Sequence, residues 1–433
     1  MKSLSIKLST LFIALLLMGQ GAFAQSAGDL QYYRPMDKTG INMFEAPKET
    51  ESVFDGLNVH IGLQNTMQFQ GLSQSGNDDL NNLGTNFNLP TSNLDFNAQL
   101  ADGVRMHLRS WVASPGQGAS FHIKGGYIQF DRLDFVTEGF MEDLMDNVRI
   151  RIGHLDFNYG DAHFRRSDNA HTMHNPFVGN YIMDAYTNEI GGEVYYMSGP
   201  FLGMVGITNS RMNQNILKKE DDDLQDKPTF FGKLGYDSQV NDDLRFRLTG
   251  SALTVSQTEA VYLYGGDRAA SGRYYGVLDV DGGATGGRFN PDFSVSGFAP
   301  GGPIAGEVTA FQINPFVRFR GLEFFGVIEN ATGKNTTEDD TRSFTQLGGE
   351  LIYRFGQDDR FYLGTRYNTV GGEMANGNDI DIDRLNIGGG WFIADNIMTK
   401  LEYVSQSYDG FPEGNIRHNA EFSGIMLEAI VSF

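Results

Sequence analysis

The 433-residue chain contains no cysteine. It therefore has no disulfide framework and no thiolate metal site. Beyond its first two dozen residues it also lacks any apolar run long enough for a transmembrane helix. Cations are scarce relative to acids: 33 Lys and Arg stand against 54 Asp and Glu, for a formal charge of −21. Nucleic-acid binding rests on basic side chains and is disfavoured by that balance. Aromatics, at 12%, and glycine, with 54 residues, are plentiful. An acid-rich, Gly-rich, aromatic-rich and Cys-free composition fits a transmembrane β-barrel or a large secreted β-protein.

The first residues read as an export signal. Lys2 and Lys7 precede the apolar run Leu11-Phe12-Ile13-Ala14-Leu15-Leu16-Leu17-Met18, and Ala22-Phe23-Ala24 supplies a small-x-small cleavage site. The expectation is a signal peptide over 1–24, cleaved after Ala24. The run is too short for a membrane anchor. Residue 25 is Gln, so lipid attachment there is not expected. Removing Lys2 and Lys7 takes the charge to about −23 (−21 − 2). Residues 25–55 are polar and interrupted by Pro35 and Pro47, which suggests a periplasmic or plug-like segment. Its Tyr32, Tyr33 and Phe44 argue for docking against the rest of the chain.

From about residue 56 the dominant signal is alternation. Leu94, Phe96, Ala98 and Leu100 alternate with Asp95, Asn97 and Gln99. Leu244, Phe246 and Leu248 alternate with Arg245, Arg247 and Thr249. Leu347, Gly349, Leu351, Tyr353 and Phe355 alternate with Gln346, Glu350 and Arg354. This is strand periodicity. One short piece, with Phe140, Met141, Leu144 and Met145 after Thr137, has helical spacing. Sixteen strands are expected, at 56–70, 93–101, 104–113, 122–131, 148–157, 189–197, 200–211, 228–238, 243–257, 306–319, 322–331, 342–355, 360–370, 383–393, 397–407 and 419–433.

The connections alternate between tight turns, such as Ala101-Asp102-Gly103 and Ala394-Asp395-Asn396, and longer polar loops. Only the connection with the short helix breaks the pattern on the turn side. A transmembrane barrel requires that parity, and a soluble sandwich does not. Closure follows from backbone chemistry: in hydrocarbon an open sheet edge leaves N–H and C=O groups without partners. The expected fold is an all-β, 16-stranded antiparallel transmembrane β-barrel over 56–433.

The last strand, Ile425-Met426-Leu427-Glu428-Ala429-Ile430-Val431-Ser432-Phe433, places Ile425, Leu427, Ala429, Val431 and Phe433 on one face. With that terminal aromatic and the loop parity, the chain resembles the Gram-negative outer-membrane porins, of the Bacteroidota type and distantly similar to phosphate-selective porins. The resemblance implies a water-filled channel in the bacterial outer membrane, contact with membrane lipid, and a C-terminal aromatic presented to the barrel assembly machinery. It also implies a homotrimer. In sixteen-stranded porins the third external loop folds inward, and the parity gives that place to residues 158–188.

A lumen sixteen strands wide admits water and solutes. The residues expected to line it are Arg105, Arg109, Arg149, Arg151, Arg245, Arg247, Arg318, Arg320, Arg354, Arg366 and Lys400, against the fewer acids Asp95, Glu193, Glu350, Glu402 and Glu428. The inward loop offers Arg165, Arg166, Asp168, Asp184 and Glu189 as a constriction, with His163, His171 and His174 beside them. Other acids gather in expected loops, such as Glu220-Asp221-Asp222-Asp223 and Asp379-Ile380-Asp381. One charge about 10 Å from an ion contributes only roughly 0.4 kcal/mol through water. A tenfold anion preference needs roughly 1.4 kcal/mol, hence several converging arginines.

The expected function is passive diffusion of small hydrophilic solutes with weak anion selectivity. The arginines have a structural reading too: paired with Glu350 or Glu402, they would brace the wall. The histidine spacing matches no metal motif, no EF-hand pattern is present, and no nucleophile elbow points to an enzyme, so no metal, cofactor or catalytic residue is expected. Two alternatives stand beside the general porin. One is a substrate-specific channel for phosphate, sugar or peptide, and the other is a surface β-protein that binds glycans or partners.

Overall fold

A computed structural model describes residues 30–433 except 50, 52, 77–79, 89–90, 113–120, 168–170, 212–215, 217–225, 259–262, 265–273, 280–285, 294–304 and 336. Seventeen strands form one sheet. In chain order they are β1 (Asn58–Ser75), β2 (Asn86–Phe87), β3 (Thr91–Ala101), β4 (Val104–Val112), β5 (Phe121–Phe130), β6 (Val148–Asp156), β7 (Asn188–Ser198), β8 (Phe201–Thr208), β9 (Thr229–Asn241), β10 (Leu244–Val255), β11 (Ala305–Phe319), β12 (Leu322–Asn335), β13 (Arg342–Phe355), β14 (Phe361–Glu373), β15 (Asp379–Ala394), β16 (Ile397–Asp409) and β17 (Glu421–Ser432). β2 is a two-residue bridge lying on Phe69 and Gln70 of β1. The other sixteen form an antiparallel barrel, closed because β1 pairs with β3 on one side and β17 on the other.

The seam runs from Gln64 opposite Ser432 to Ser75 opposite Glu421. Its end is fastened by the reciprocal pair Leu63 N–H to Phe433 O, 2.9 Å, and Phe433 N–H to Leu63 O, 3.0 Å. Gly424 sits in the seam with φ +149°, and a Cβ there would lie 2.2 Å from the Gly71 carbonyl oxygen. Only glycine permits that approach.

The expected strands all appear, with shifts at their ends. Those of β13 coincide with the expected 342–355. β1 runs on to Ser75 because β17 pairs along it that far. β15 begins at Asp379, and not at 383, since Asp379 faces Glu373 and Asp381 faces Asp409 across the ladder. Asp379 and Asp381 thus belong to a strand and not to a loop, with Ile380 between them and Ile382 after them both buried. A run of alternating acids reads as solvated loop until its isoleucines are given an inner face. The acidic run at 220–223 lies outside the described residues. α1 (Glu142–Met145) occupies the long connection at 131–147, as the helical spacing indicates.

The outer surface is an apolar belt. Leu347, Leu351, Tyr353, Leu363, Ile387, Leu401, Tyr403, Ile425 and Leu427 all point outward and are exposed. Near the short-turn rim an aromatic ladder crosses three strands: Tyr353 to Phe355 at 5.9 Å, Phe355 to Phe361 at 5.8 Å and Phe361 to Trp391 at 6.1 Å. Such girdles mark the interface depth of a membrane barrel.

Candidate functional site

Inward-facing wall residues would meet water in an open channel. Here the wall is covered by the chain itself. Glu350, Asn368, Asn386, Glu428 and Arg149 are all buried completely, and Arg366 and Arg384 nearly so. Among the described residues, parts of three segments fill the lumen. Residues 30–49 enter at the short-turn rim, and residues 157–167 and 171–187, with parts of 263–293, fold in from the opposite side. On the long-loop side the filling is apolar: Val178, Ile182, Tyr264, Tyr274, Phe289 and Phe293 pack against Val308, Phe344, Ile382 and Phe422 of the wall.

The 30–49 segment is tied mainly through its backbone. Lys38 N–H donates to Asp395 O at 2.9 Å, and Ser432 Oγ donates to Met36 O at 3.0 Å. Arg149 donates to Ala46 O and Pro47 O, both at 2.8 Å, while its Nε meets Asp131 at 2.8 Å. Arg245 pairs with Asp237 and donates to Asn42 O. Phe44 lies beneath the Arg247 guanidinium at 4.2 Å and edge-on to Phe316 and Phe164. Burial alone would raise the Glu45 carboxyl, but Arg247 and Lys233 overcome this and hold it at about 2.

The inward loop is held by side chains. Arg165 reaches Glu350 at 3.0 Å and donates to Asn42 at 2.5 Å, so it touches wall and N-terminal segment together. Arg166 clasps Asp184 through two bonds of 2.7 and 2.8 Å under the Tyr186 ring. Asp161 accepts from Arg247, Lys233 and Thr249. The backbone N–H groups of Val178, Ile182 and Met183 donate to Glu402, Asn368 and Gln346. Desolvation, with Lys233 second, lowers His163 to about 3; His171 and His174 are lowered by burial first and the Arg34 charge second.

The remaining residues singled out in the sequence fall into three groups. Arg105, Arg109, Arg151, Arg247, Arg354, Arg366 and Lys400 face the filled lumen. Arg109 binds Asp95 at 2.9 Å, Arg354 binds Glu323 at 2.7 Å, Arg366 binds Glu350 at 2.6 Å and Lys400 binds Glu428 at 2.9 Å. Arg318 and Arg320 lie at the short-turn rim, 39% and 70% exposed, paired with Asp359 and Asp243. Glu189 belongs to β7 and accepts from Thr208 at 2.5 Å, while Asp168 lies outside the described residues. Sequence reasoning missed Arg34, Glu45, Asp161 and Glu323, which complete these networks. Their signal is faint: single charges in irregular segments, or one acid in an aromatic-rich strand. Among the described residues no group of His, Asp or Glu is arranged to hold a metal ion.

This closed sixteen-stranded antiparallel barrel is similar in fold to solved structures. The fold is that of the outer-membrane porins. An anion-selective porin from Comamonas acidovorans superposes with a TM-score of 0.52 at 9% identity, over 87% of this chain and all of that one (100%). OmpT of Vibrio cholerae, in a trimer form, gives 0.51 at 12% identity, over 88% and 100%. The channel DcaP of Acinetobacter baumannii gives 0.50 at 11%, over 87% and 98%. No family model matches the chain, and no curated protein matches it in sequence. The porin fold and the apolar belt place the protein in the bacterial outer membrane.

Proposed function

We propose that this chain is a porin-type channel for small hydrophilic solutes, weakly anion-selective, with its lumen closed in the conformation described. The observation that carries the reading is a sector of wall where β4 and β6 set Arg105, Arg109, Arg149 and Arg151 toward the lumen, faced by Arg34 of the N-terminal segment. In this reading those arginines, with Arg245, Arg247, Arg354, Arg366 and Lys400, line the path, and Arg318 and Arg320 meet solutes at the rim. Arg165, Arg166, Asp184 and Glu189 hold the constriction. Ion transport then requires the segment at 30–49, the loop at 157–187, or both, to yield. A homotrimer in outer-membrane lipid is part of the proposal.

The test is planar-bilayer conductance in a KCl gradient, for the full chain and for a variant lacking residues 30–49. The expected result is channel activity that rises on deletion, with chloride favoured over potassium. A cation preference would remove the anion part. Silence from both proteins, each shown folded by heat-modifiable gel mobility, would sink the channel reading.

A further inference from the structure

Most luminal arginines have a carboxylate partner. Among the described residues, Arg34, Arg105, Arg151 and Arg384 find only neutral acceptors; those of Arg384 are Gln406, Asn180 O and Gly287 O, and the first three arginines lie together. Arg34 donates to Gly40 O and Phe164 O and meets His171 Nδ1 at 3.4 Å. Arg105 donates to Asn97, Tyr127 Oη and Gln129. Arg151 donates to Gln129 and Tyr195 Oη. All three border one cavity of about 100 Å³ between the N-terminal segment and β3 to β6.

That cavity is built with spare donors. Among the described residues, Tyr33 Oη, Asn97 Nδ2 and Arg105 Nε reach no acceptor, although these residues are only 8%, 0% and 3% exposed. The acids at its border have hydrogen-bond partners other than Arg34, Arg105 and Arg151, although the Glu193 charge also acts on Arg151. Glu45 is bound by Arg247 at 2.8 Å and Lys233 at 3.3 Å. Asp156 accepts from Tyr186 at 2.7 Å and lies 3.4 Å from Arg109. Glu193 accepts from Tyr195 at 2.7 Å and the Asn158 N–H at 3.2 Å. The arginines stack instead on rings: Arg105 between Tyr33 and Tyr127 at 5.9 and 5.7 Å, Arg151 between Tyr127 and Tyr195 at 5.1 and 5.2 Å.

Burying a cation without a counter-charge is unfavourable, since desolvation is not repaid by pairing. Arg34 registers this: burial first, then the like charges of Arg165 and Arg109, push its guanidinium down to about 9. Water would satisfy the spare donors but not the charge. A guest that is both anionic and an acceptor satisfies both.

We infer that this chamber is a binding site for a small oxyanion of the carboxylate or phosphate class, held by Arg105 and Arg151 and closed over by Arg34 and Tyr33. At about 100 Å³ it admits an anion of a few heavy atoms and excludes sugars and peptides. Because Arg34 and Tyr33 come from the N-terminal segment, the anion bridges that segment to the wall. Occupancy therefore favours the filled lumen over the open one.

The site is tested by isothermal titration of the purified full chain in detergent with acetate and, separately, inorganic phosphate, at constant ionic strength in chloride. Saturable binding of one or both is expected, and which one binds decides between the two classes. Arg105→Gln should weaken it at least tenfold, and Arg105→Lys should restore most of it. Arg34→Gln, outside the strands and so without risk to the barrel, should weaken it severalfold. Arg342→Gln, at the opposite rim with Glu338 and Asp292, should leave it unchanged. Absence of saturable binding for both anions, or equal affinity in wild type, Arg105→Gln and Arg34→Gln, overturns the inference. Conductance plays no part in this experiment, so its outcome is separable from that of the channel proposal.

Discussion

Glu350 is the point at which the inward loop can be cut loose without touching the loop. It is fully buried on β13 and receives Arg165 of the loop at 3.0 Å, Arg366 of β14 at 2.6 Å and the Tyr181 hydroxyl at 3.0 Å. Replacing it with Gln keeps the shape and removes the charge. A unit pair at 3 Å is worth about 5 kcal/mol at an effective dielectric near 20. Part of this is offset by desolvation already incurred, and breaking buried pairs on one side typically costs about 3–5 kcal/mol. We take about 3 kcal/mol, because Arg366 keeps Gly179 O and Asn175, and Arg165 keeps Asn42 with Glu323 at 3.9 Å. At roughly 1.4 kcal/mol per decade, local opening of the loop rises about a hundredfold. Hydrogen exchange should show this at the amides of Val178, Ile182 and Met183, while the strand amides of Leu347 and Leu351 hold. A double variant, Glu350→Gln with Arg165→Gln, should lose less than the sum of the singles, because the stranded cation is gone. Protection at the three loop amides within threefold of wild type would refute the tether.

Further outcomes follow from the same packing. His163, His171 and His174 are held below their ordinary value of 6.5, so the docked loop binds fewer protons than a released one. Docking should be at full strength above about pH 6.5 and weaken as pH falls toward 3; equal conductance at pH 7.5 and 5 would contradict this. Phe44→Ala should cost the N-terminal segment about 3 kcal/mol of docking, seen as faster proteolysis within 30–49 at unchanged barrel melting. Gly424→Ala should lower barrel stability by strain at the seam, read as a lower temperature for the gel-mobility shift, whereas Gly414→Ala, which has open space at Cβ, should show only the smaller effect of its positive φ. The lumen lock of Glu45, held at about 2, should be indifferent to pH between 5 and 8 and loosen only below about 4.5.

The barrel was legible because it obeys a period of two imposed by two solvents. Leu347, Leu351 and Tyr353 had to meet lipid whatever else the protein does, and Gln346, Glu350 and Arg354 had to turn inward. The state of the lumen was not legible. Arg366 on a polar strand face looks the same whether it borders water or Glu350, and only the partner brought 16 residues away in β14's neighbour decides between them. The filling is irregular backbone, so Arg34, Glu45 and Asp161 carry no periodic signature. The aromatic residues Tyr32, Tyr33 and Phe44 did signal docking, since a polar segment has no use for them in water. Ile380 and Ile382 were hidden by the acids around them.

The seam joining β1 to β17 bears on when the lumen is filled. Gln68 and Glu428, hydrogen-bonded across it, are 360 positions apart, and Met36 and Ser432 are 396 apart. Contacts of such separation are slow to form, because the entropy of closing the intervening chain is lost before they offset it. The same last strand that seals the wall also anchors the N-terminal segment through Ser432. Sealing and filling are thereby synchronised: an unsealed sheet has no interior for residues 30–49 to occupy, and the seal completes the surface that grips them.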